Sequence, residues 1–203
     1  THHGVFDLSF MSALPGMIVS APKDGNELRN LIATALHSCK NFSIRYPKDS
    51  SRKYDVNKSA EILQIGSWEI LHKGTESAIL AVGSMVGMVL DTKKEIYSEL
   101  GYLPTIINAR FIKPLDAELL INICKDHPNI ITIEEGILSG GFGSAVSAFL
   151  HDNHLNNKLY RLGIPDDFIE HGTREELLYD LGLHSNNVIS ILKNINVEEL
   201  YEY

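Results

Sequence analysis

From Ser77 to Ile164, short apolar runs alternate with longer stretches of helical periodicity, and this alternation restricts the chain to few folds. SAILAVG (77–83), PTIINA (104–109), NIITIEE (129–135) and KLYRLGI (158–164) are short and rich in branched apolar residues, so they read as strands. Between them, Met85, Val89, Ile96 and Leu100 share one face of a first helix, and Leu119, Leu120, Ile123 and Cys124 mark a second that Asp116 caps. Ser144 to Leu150 opens a third helix, and Thr173 with Glu176 predicts a capped fourth that Gly182 ends. Strands joined through helices run parallel, because a parallel crossover needs the length that a helix supplies. A doubly wound α/β domain is expected.

The first sixty residues show the pattern once. MIVSAP (17–22) and FSIRYP (42–47) read as strands, and KDGNELRNLIATAL between them carries Leu28, Leu31, Ile32 and Ala35 at helical spacing. Asp24 followed by Glu27 predicts a capping box. A lone strand, helix, strand unit leaves a parallel sheet with an uncovered face and an open edge, so sheet neighbours are expected from upstream sequence. KDSSRKYDVNK (48–58) has no apolar period and reads as an excursion or linker.

Charge and composition exclude several functions. The net charge is -8 and no block of Lys/Arg is long enough to neutralise a row of phosphates, so neither nucleic acid nor an anionic membrane is an expected partner. The longest apolar run, Ala78 to Leu90, falls short of the roughly 20 residues that cross a bilayer. Cys39 and Cys124 are too few for a disulfide framework and lack metal-ligand spacing; both are expected to be buried thiols in a reducing compartment. No secretory signal pattern opens the sequence.

Several stretches offer chemistry, each beside a plainer reading. His2 and His3, in THHGVFDLSF, read either as a purification remnant or as native groups poised between proton donor and acceptor. In IRYPK, Arg45 and Lys48 lie at the carboxyl end of a strand, where open parallel sheets bind ligands; they read as anion binders or as surface ion-pair partners. Arg110 and Lys113 of NARFIKPLD pose the same choice, beside Pro114 and Asp116 as helix-entry residues. EEGILSGGFGSA places Gly140, Gly141 and Gly143 before a helix, either to expose N–H groups to a phosphate or to let backbones pack closely. Its spacing matches neither GxGxxG nor GxxxxGK[ST]. Glu134 and Glu135 are neighbours on a strand and point to opposite faces, so they do not form an acid/base dyad. His171 reads as a loop histidine.

Taken in order, THHGVFDLSF, PGMIVSAPKDGNEL, SIRYPK, INARFIKPLD, EEGILSGGFGSAV and LGIPDDFIEHGTREEL resemble the carboxyl-terminal part of the 1-deoxy-D-xylulose-5-phosphate synthase family, thiamine-diphosphate enzymes of the transketolase superfamily. The resemblance covers nearly the whole chain. It implies that residues 1–60 are the carboxyl-terminal part of a pyrimidine-binding domain, 61–75 a linker and 76–203 a complete transketolase carboxyl-terminal domain. It further implies a cytoplasmic, homodimeric transferase of bacterial or plastid type. Such an enzyme condenses pyruvate with D-glyceraldehyde 3-phosphate, with loss of CO2, for isoprenoid, thiamine and pyridoxal precursors. A thiazolium carbanion carries that chemistry. His2 matches the family histidine that contacts substrate or moves a proton, and His3 is its neighbour at the substrate. The family's phosphate-binding arginine follows the RYP triplet, where this chain has Lys48 and then Asp49; Lys48 or Arg45 takes that role. The ligands of thiamine diphosphate and Mg2+ belong to upstream domains of the same enzyme, so these residues alone are expected to be inactive. Alternatives are a transketolase or 2-oxoacid dehydrogenase β-subunit half, or a non-catalytic dimerisation or regulatory module.

Overall fold

The computed structural model describes residues 4–51 and 53–201, with side chains to residue 195. In chain order the elements are α1 (Asp7–Ala13), β1 (Ile18–Ser20), α2 (Gly25–Ser38), β2 (Phe42–Ile44), β3 (Glu69–His72), β4 (Ser77–Ala81), α3 (Met85–Leu100), β5 (Thr105–Asn108), β6 (Phe111–Lys113), α4 (Ala117–Asp126), β7 (Asn129–Ile137), α5 (Phe142–Asp152), β8 (Lys158–Ile164), α6 (Arg174–Asp180) and α7 (Ser185–Tyr201). They form a five-stranded sheet of order β3-β5-β4-β7-β8 and a three-stranded sheet of order β2-β1-β6.

The four strands expected after residue 76 are β4, β5, β7 and β8, and they pair in parallel. Every residue of β4 is buried, as befits a central strand covered on both faces. Its alternation divides the interior in two. Ala78 and Leu80 face a core with Ile107, Ile130, Leu120 and Phe142, while Ile79 and Ala81 face Val86, Val89, Ile131 and Leu192. Helices α4 and α5 thus cover one face, and α3 and α7 the other.

Two strands lie outside the expected set. β3 falls within residues 61–75, expected to be a linker, and pairs antiparallel with β5 at the sheet edge. β6 leaves the large sheet and pairs antiparallel with β1, so the small sheet is completed by a strand from later in the chain. Among the described residues, Phe111 to Lys113 forms one edge of this sheet and β2 the other.

Helix α2 also departs from its apolar period. Its buried residues are Glu27, Asn30, Leu31 and Thr34, whereas Ile32 and Leu36 are exposed. The cause is the segment 59–65, which crosses the helix and is held by its polar side chains. Asn30 Oδ1 accepts from the Glu61 N–H at 3.0 Å, and Thr34 Oγ1 from the Leu63 N–H at 2.8 Å. Asp24 caps the helix by accepting from the Glu27 N–H at 2.9 Å, but the Glu27 carboxylate takes the Lys23 N–H rather than that of Asp24, so the box is displaced by one residue. The capping box of α6, Thr173 with Glu176, is complete. Cys124 is buried and its thiol is pushed up to about 11, whereas Cys39 is exposed at the left-handed end of α2, contrary to expectation.

Trp68, the single tryptophan, joins these parts. Its indole N–H donates to the Phe111 carbonyl at 2.8 Å, its backbone N–H to Asp116 Oδ2 at 2.8 Å, and its ring meets Phe142 edge to face at 5.7 Å. Trp68→Ala should therefore destabilise the protein by about 3–5 kcal/mol, the range for deleting a buried aromatic side chain. Urea denaturation followed by far-UV circular dichroism measures this, since the variant has no tryptophan emission.

Candidate functional site

The residues singled out by sequence gather at two junctions between the amino-terminal segment and the five-stranded sheet. The first lies at the carboxyl end of β7. There the Ile137 N–H donates to the Val5 carbonyl at 2.9 Å, and Ser9 Oγ on α1 to the Ser139 carbonyl at 3.1 Å. Arg45 reaches across from the end of β2. Its Nη2 donates to the carbonyls of Gly4 and Glu135, and its Nε lies 3.6 Å from Asp7 Oδ2. Burial raises the Asp7 carboxyl above the usual range, although the Arg45 charge opposes this. Arg45 thus ties the segment that follows the histidines to β7. His2 and His3 themselves lie outside the described residues.

The neighbouring carboxylates of β7 diverge, as their positions on a strand require. Glu134 is fully buried and turns to the start of α5, where its Oε2 accepts from the Phe142 N–H at 2.8 Å and its Oε1 from the Gly143 N–H at 2.7 Å. The glycine turn makes room for this contact. A Cβ on Gly141 would lie 2.6 Å from Glu134 Oε2, and one on Gly140, whose φ is +69°, would lie 2.6 Å from Ser9 Oγ. Of the two readings of the turn, close packing is the one observed: the N–H groups that a phosphate would use hold an internal carboxylate.

Glu135 points to the opposite face, into charged partners. Arg174 donates to it through Nε at 2.9 Å and Nη2 at 2.7 Å, and Ser84 Oγ at 2.7 Å. Burial pushes the Glu135 carboxyl up, but Arg174, Ser84 and Arg45 more than offset it and hold it below the usual range. Arg174 Nη1 also lies 3.3 Å from Asp49 Oδ2. Lys48, beside Asp49, is exposed. A cleft of about 350 Å³ opens next to it, with Tyr46, Asp49 and Ser50 on one wall and Met85, Arg174 and Leu178 on the other.

The second junction absorbs the NARFIKPLD motif. Asn108 Nδ2 donates to Glu27 Oε1 at 2.7 Å and to Glu69 Oε2 at 3.2 Å, and Lys23 bridges the same two carboxylates. Burial alone would lower the Lys23 ammonium and raise the Glu69 carboxyl, yet Glu27 and Glu69 hold the ammonium up, and Lys23 with Asn108 holds the Glu69 carboxyl down. Arg110 donates to the Ser67 carbonyl at 2.8 Å and to Ser67 Oγ at 2.9 Å, and Lys113 Nζ to the carbonyls of Ser12 and Leu14. Both cations have internal partners, which is their structural reading. The sequence analysis missed Ser84, Arg174 and Glu69 as partners; no spacing signal marks contacts between residues so distant along the chain.

Burial raises Glu134 from an ordinary 4.5 to about 7, against the two N–H groups that favour its ionised form. A carboxyl whose folded value lies above its unfolded value takes up a proton on folding. Its contribution to stability therefore falls as pH rises from about 4.5 to about 7, and stays lost above. Glu134→Gln should remove this slope, so the difference in Tm between variant and parent should change across pH 4.5–7 and level off above. A pH-independent difference would contradict the assignment.

Comparison with known proteins places these junctions in context. The family model for the transketolase pyrimidine binding domain matches residues 1–53, and that for the transketolase C-terminal domain residues 66–188. The 1-deoxy-D-xylulose-5-phosphate synthase of Dehalococcoides mccartyi (strain CBDB1) is 43% identical over 202 residues, covering 97% of this chain and 31% of that protein. The enzymes of the same name from Halalkalibacterium halodurans and Dictyoglomus thermophilum are each 40% identical, over 96% and 97% of this chain and 31% and 32% of theirs. The chain thus spans about a third of the length of these relatives. A solved structure described as a split gene transketolase, inactive beta4 tetramer, is similar with a TM-score of 0.80 and 25% identity, over 93% of this chain and 60% of that one. These matches, with helices on both faces of a mainly parallel sheet and a pyrimidine-domain segment docked at its strand ends, establish that the chain belongs to the transketolase family.

Proposed function

We propose that this chain forms part of a thiamine-diphosphate-dependent synthase that condenses pyruvate with D-glyceraldehyde 3-phosphate to 1-deoxy-D-xylulose 5-phosphate and CO2. One observation carries the reading: identity of 40–43% over 96–97% of this chain to enzymes of that name from three bacteria. The family model for the pyrimidine binding domain spans both the segment at the histidines and Lys48.

The glycine turn does not fit the diphosphate of the cofactor. The glycine-rich helix start that resembles a diphosphate cradle is filled by Glu134, and among the described residues no group of three His, Cys, Asp or Glu is placed to hold a cation. In this reading the ligands of the cofactor come from other parts of the enzyme. What this chain supplies is substrate handling. Lys48 neutralises the phosphate of the aldehyde substrate; Arg45 supports this by holding the Gly4 carbonyl and β7, which leaves the phosphate to the exposed ammonium. His2 exchanges a proton with a substrate oxygen, and His3 orients it. The similarity to a split transketolase whose tetramer is described as inactive supports the reading that these residues alone do not turn over. That relative also keeps a transketolase activity open as the second reading.

Among the described residues no helix is long and apolar enough to cross a membrane. Partners are the two substrates, the cofactor-binding domains and a second copy of the enzyme.

Two assays test the reading. The chain alone, supplied with thiamine diphosphate and Mg2+, should form no product from pyruvate and glyceraldehyde 3-phosphate, and turnover would overturn that part. In the complete enzyme, pyruvate and not a ketose should serve as donor. There Lys48→Ala should raise KM for the phosphorylated aldehyde about tenfold or more without changing that for pyruvate, as expected for loss of a charge-assisted contact. His2→Ala should instead lower kcat by about 10²–10⁴.

A further inference from the structure

We propose that Glu135 is a positioning residue that sets the Lys48 segment through Arg174, an assignment that rests on the phosphate role of Lys48. The residues from Tyr46 to Ser51 belong to no helix or strand, so their course is set by a few anchors. Two of these anchors converge on Glu135. Arg45, three residues before Lys48, donates to the Glu135 backbone carbonyl. Asp49, the residue after Lys48, pairs with Arg174, whose fork grips the Glu135 carboxylate at 2.9 and 2.7 Å. A third anchor, the Gly25 N–H donating to Ser51 Oγ at 2.8 Å, closes the segment against α2.

The parts of this clasp differ in strength, and the difference says what the clasp does. The Glu135 side chain is 12% exposed and accepts two bonds from one planar guanidinium and a third from Ser84, a rigid arrangement. The Arg174–Asp49 contact is single, with both side chains at 33% and 52% exposure, and a pair of that kind adds little to stability. Its effect is geometric. Lysine is a point charge on a flexible stem, without the fork that lets arginine fix its own approach to a phosphate. Restraint of the backbone on either side of Lys48 supplies part of the orientation that the side chain lacks. Loss of that restraint should weaken binding of the phosphorylated substrate and leave turnover nearly unchanged.

The test compares Arg174→Ala, Arg174→Lys, Glu135→Gln and Lys48→Ala, with two readouts. Amide hydrogen exchange at Tyr46 and at residues 48–51 should quicken by about threefold to tenfold in Arg174→Ala and Glu135→Gln, while exchange around Ile79 and Ile131 stays unchanged and reports an intact fold. In the complete enzyme, both variants should raise KM for glyceraldehyde 3-phosphate by about threefold to tenfold, with kcat within about twofold. Arg174→Lys, which keeps the charge without the fork, should recover part of the loss. The double variant Arg174→Ala/Lys48→Ala should have the KM of Lys48→Ala alone, because Arg174 acts through Lys48. A raised KM in Lys48→Ala with unchanged KM and exchange in the Arg174 and Glu135 variants would overturn the proposal and leave the phosphate role standing. An unchanged KM in Lys48→Ala would instead remove the phosphate role, and the exchange rates would still decide whether Glu135 sets the segment.

Discussion

The pairing of β6 with β1 is the constraint on which the rest of the structure depends. β1, α2 and β2 alone make a two-stranded parallel unit, too small to cover its own faces or close its edges. β6 adds a third strand, and it comes from the chain between β5 and α4. The same few residues serve both sheets: Asn108 ends β5, Arg110 spans to Ser67, and Phe111 places its ring at 6.2 Å from Phe42. The two sheets therefore share covalent chain at their junction. The buried residues of the first core cluster run without a break from Leu8, Val19 and Leu31 to Leu120 and Phe142.

This continuity explains why so many charged groups can be buried at the junctions. A carboxylate taken out of water is costly unless its bonds are fully replaced, and replacement needs partners held in fixed positions. At the second junction Glu27, 3% exposed in its side chain, meets Lys23 from its own segment and Asn108 and Arg110 from the end of β5. At the first, Glu134 and Glu135 are adjacent in sequence but reach different surroundings, one a helix start and the other an arginine fork. Strand alternation alone sends them apart, and the packing of α5 and α6 decides what each one finds.

Much of this was legible in the sequence. The four parallel strands, the caps at Asp116 and Thr173 and the divergence of Glu134 from Glu135 follow from local rules, periodicity of 2 or 3.6 and side chains that bond their own backbone. β3 and β6 were not legible, because they stand outside the strand–helix alternation and each pairs antiparallel with a strand from a distant part of the chain. The helix α2 was legible, but the burial of its polar side chains was not: Asn30 and Thr34 are hydrogen-bond acceptors for a crossing segment, and no hydrophobic period can announce that. At the candidate site, Arg45 and Lys48 were found by their place at a strand end, whereas Arg174 enters from residues far along the chain and leaves no local signal.

The shared core and the β1–β6 pairing make the amino-terminal segment and the five-stranded sheet one folding body. Calorimetry of the described chain tests this most directly, by comparing the calorimetric with the van't Hoff enthalpy of unfolding. A single transition with equal enthalpies is predicted, with hydrogen-exchange protection of β1 and β7 lost together. Two transitions, the first releasing residues 4–51 while β4 and β7 remain protected, would contradict it.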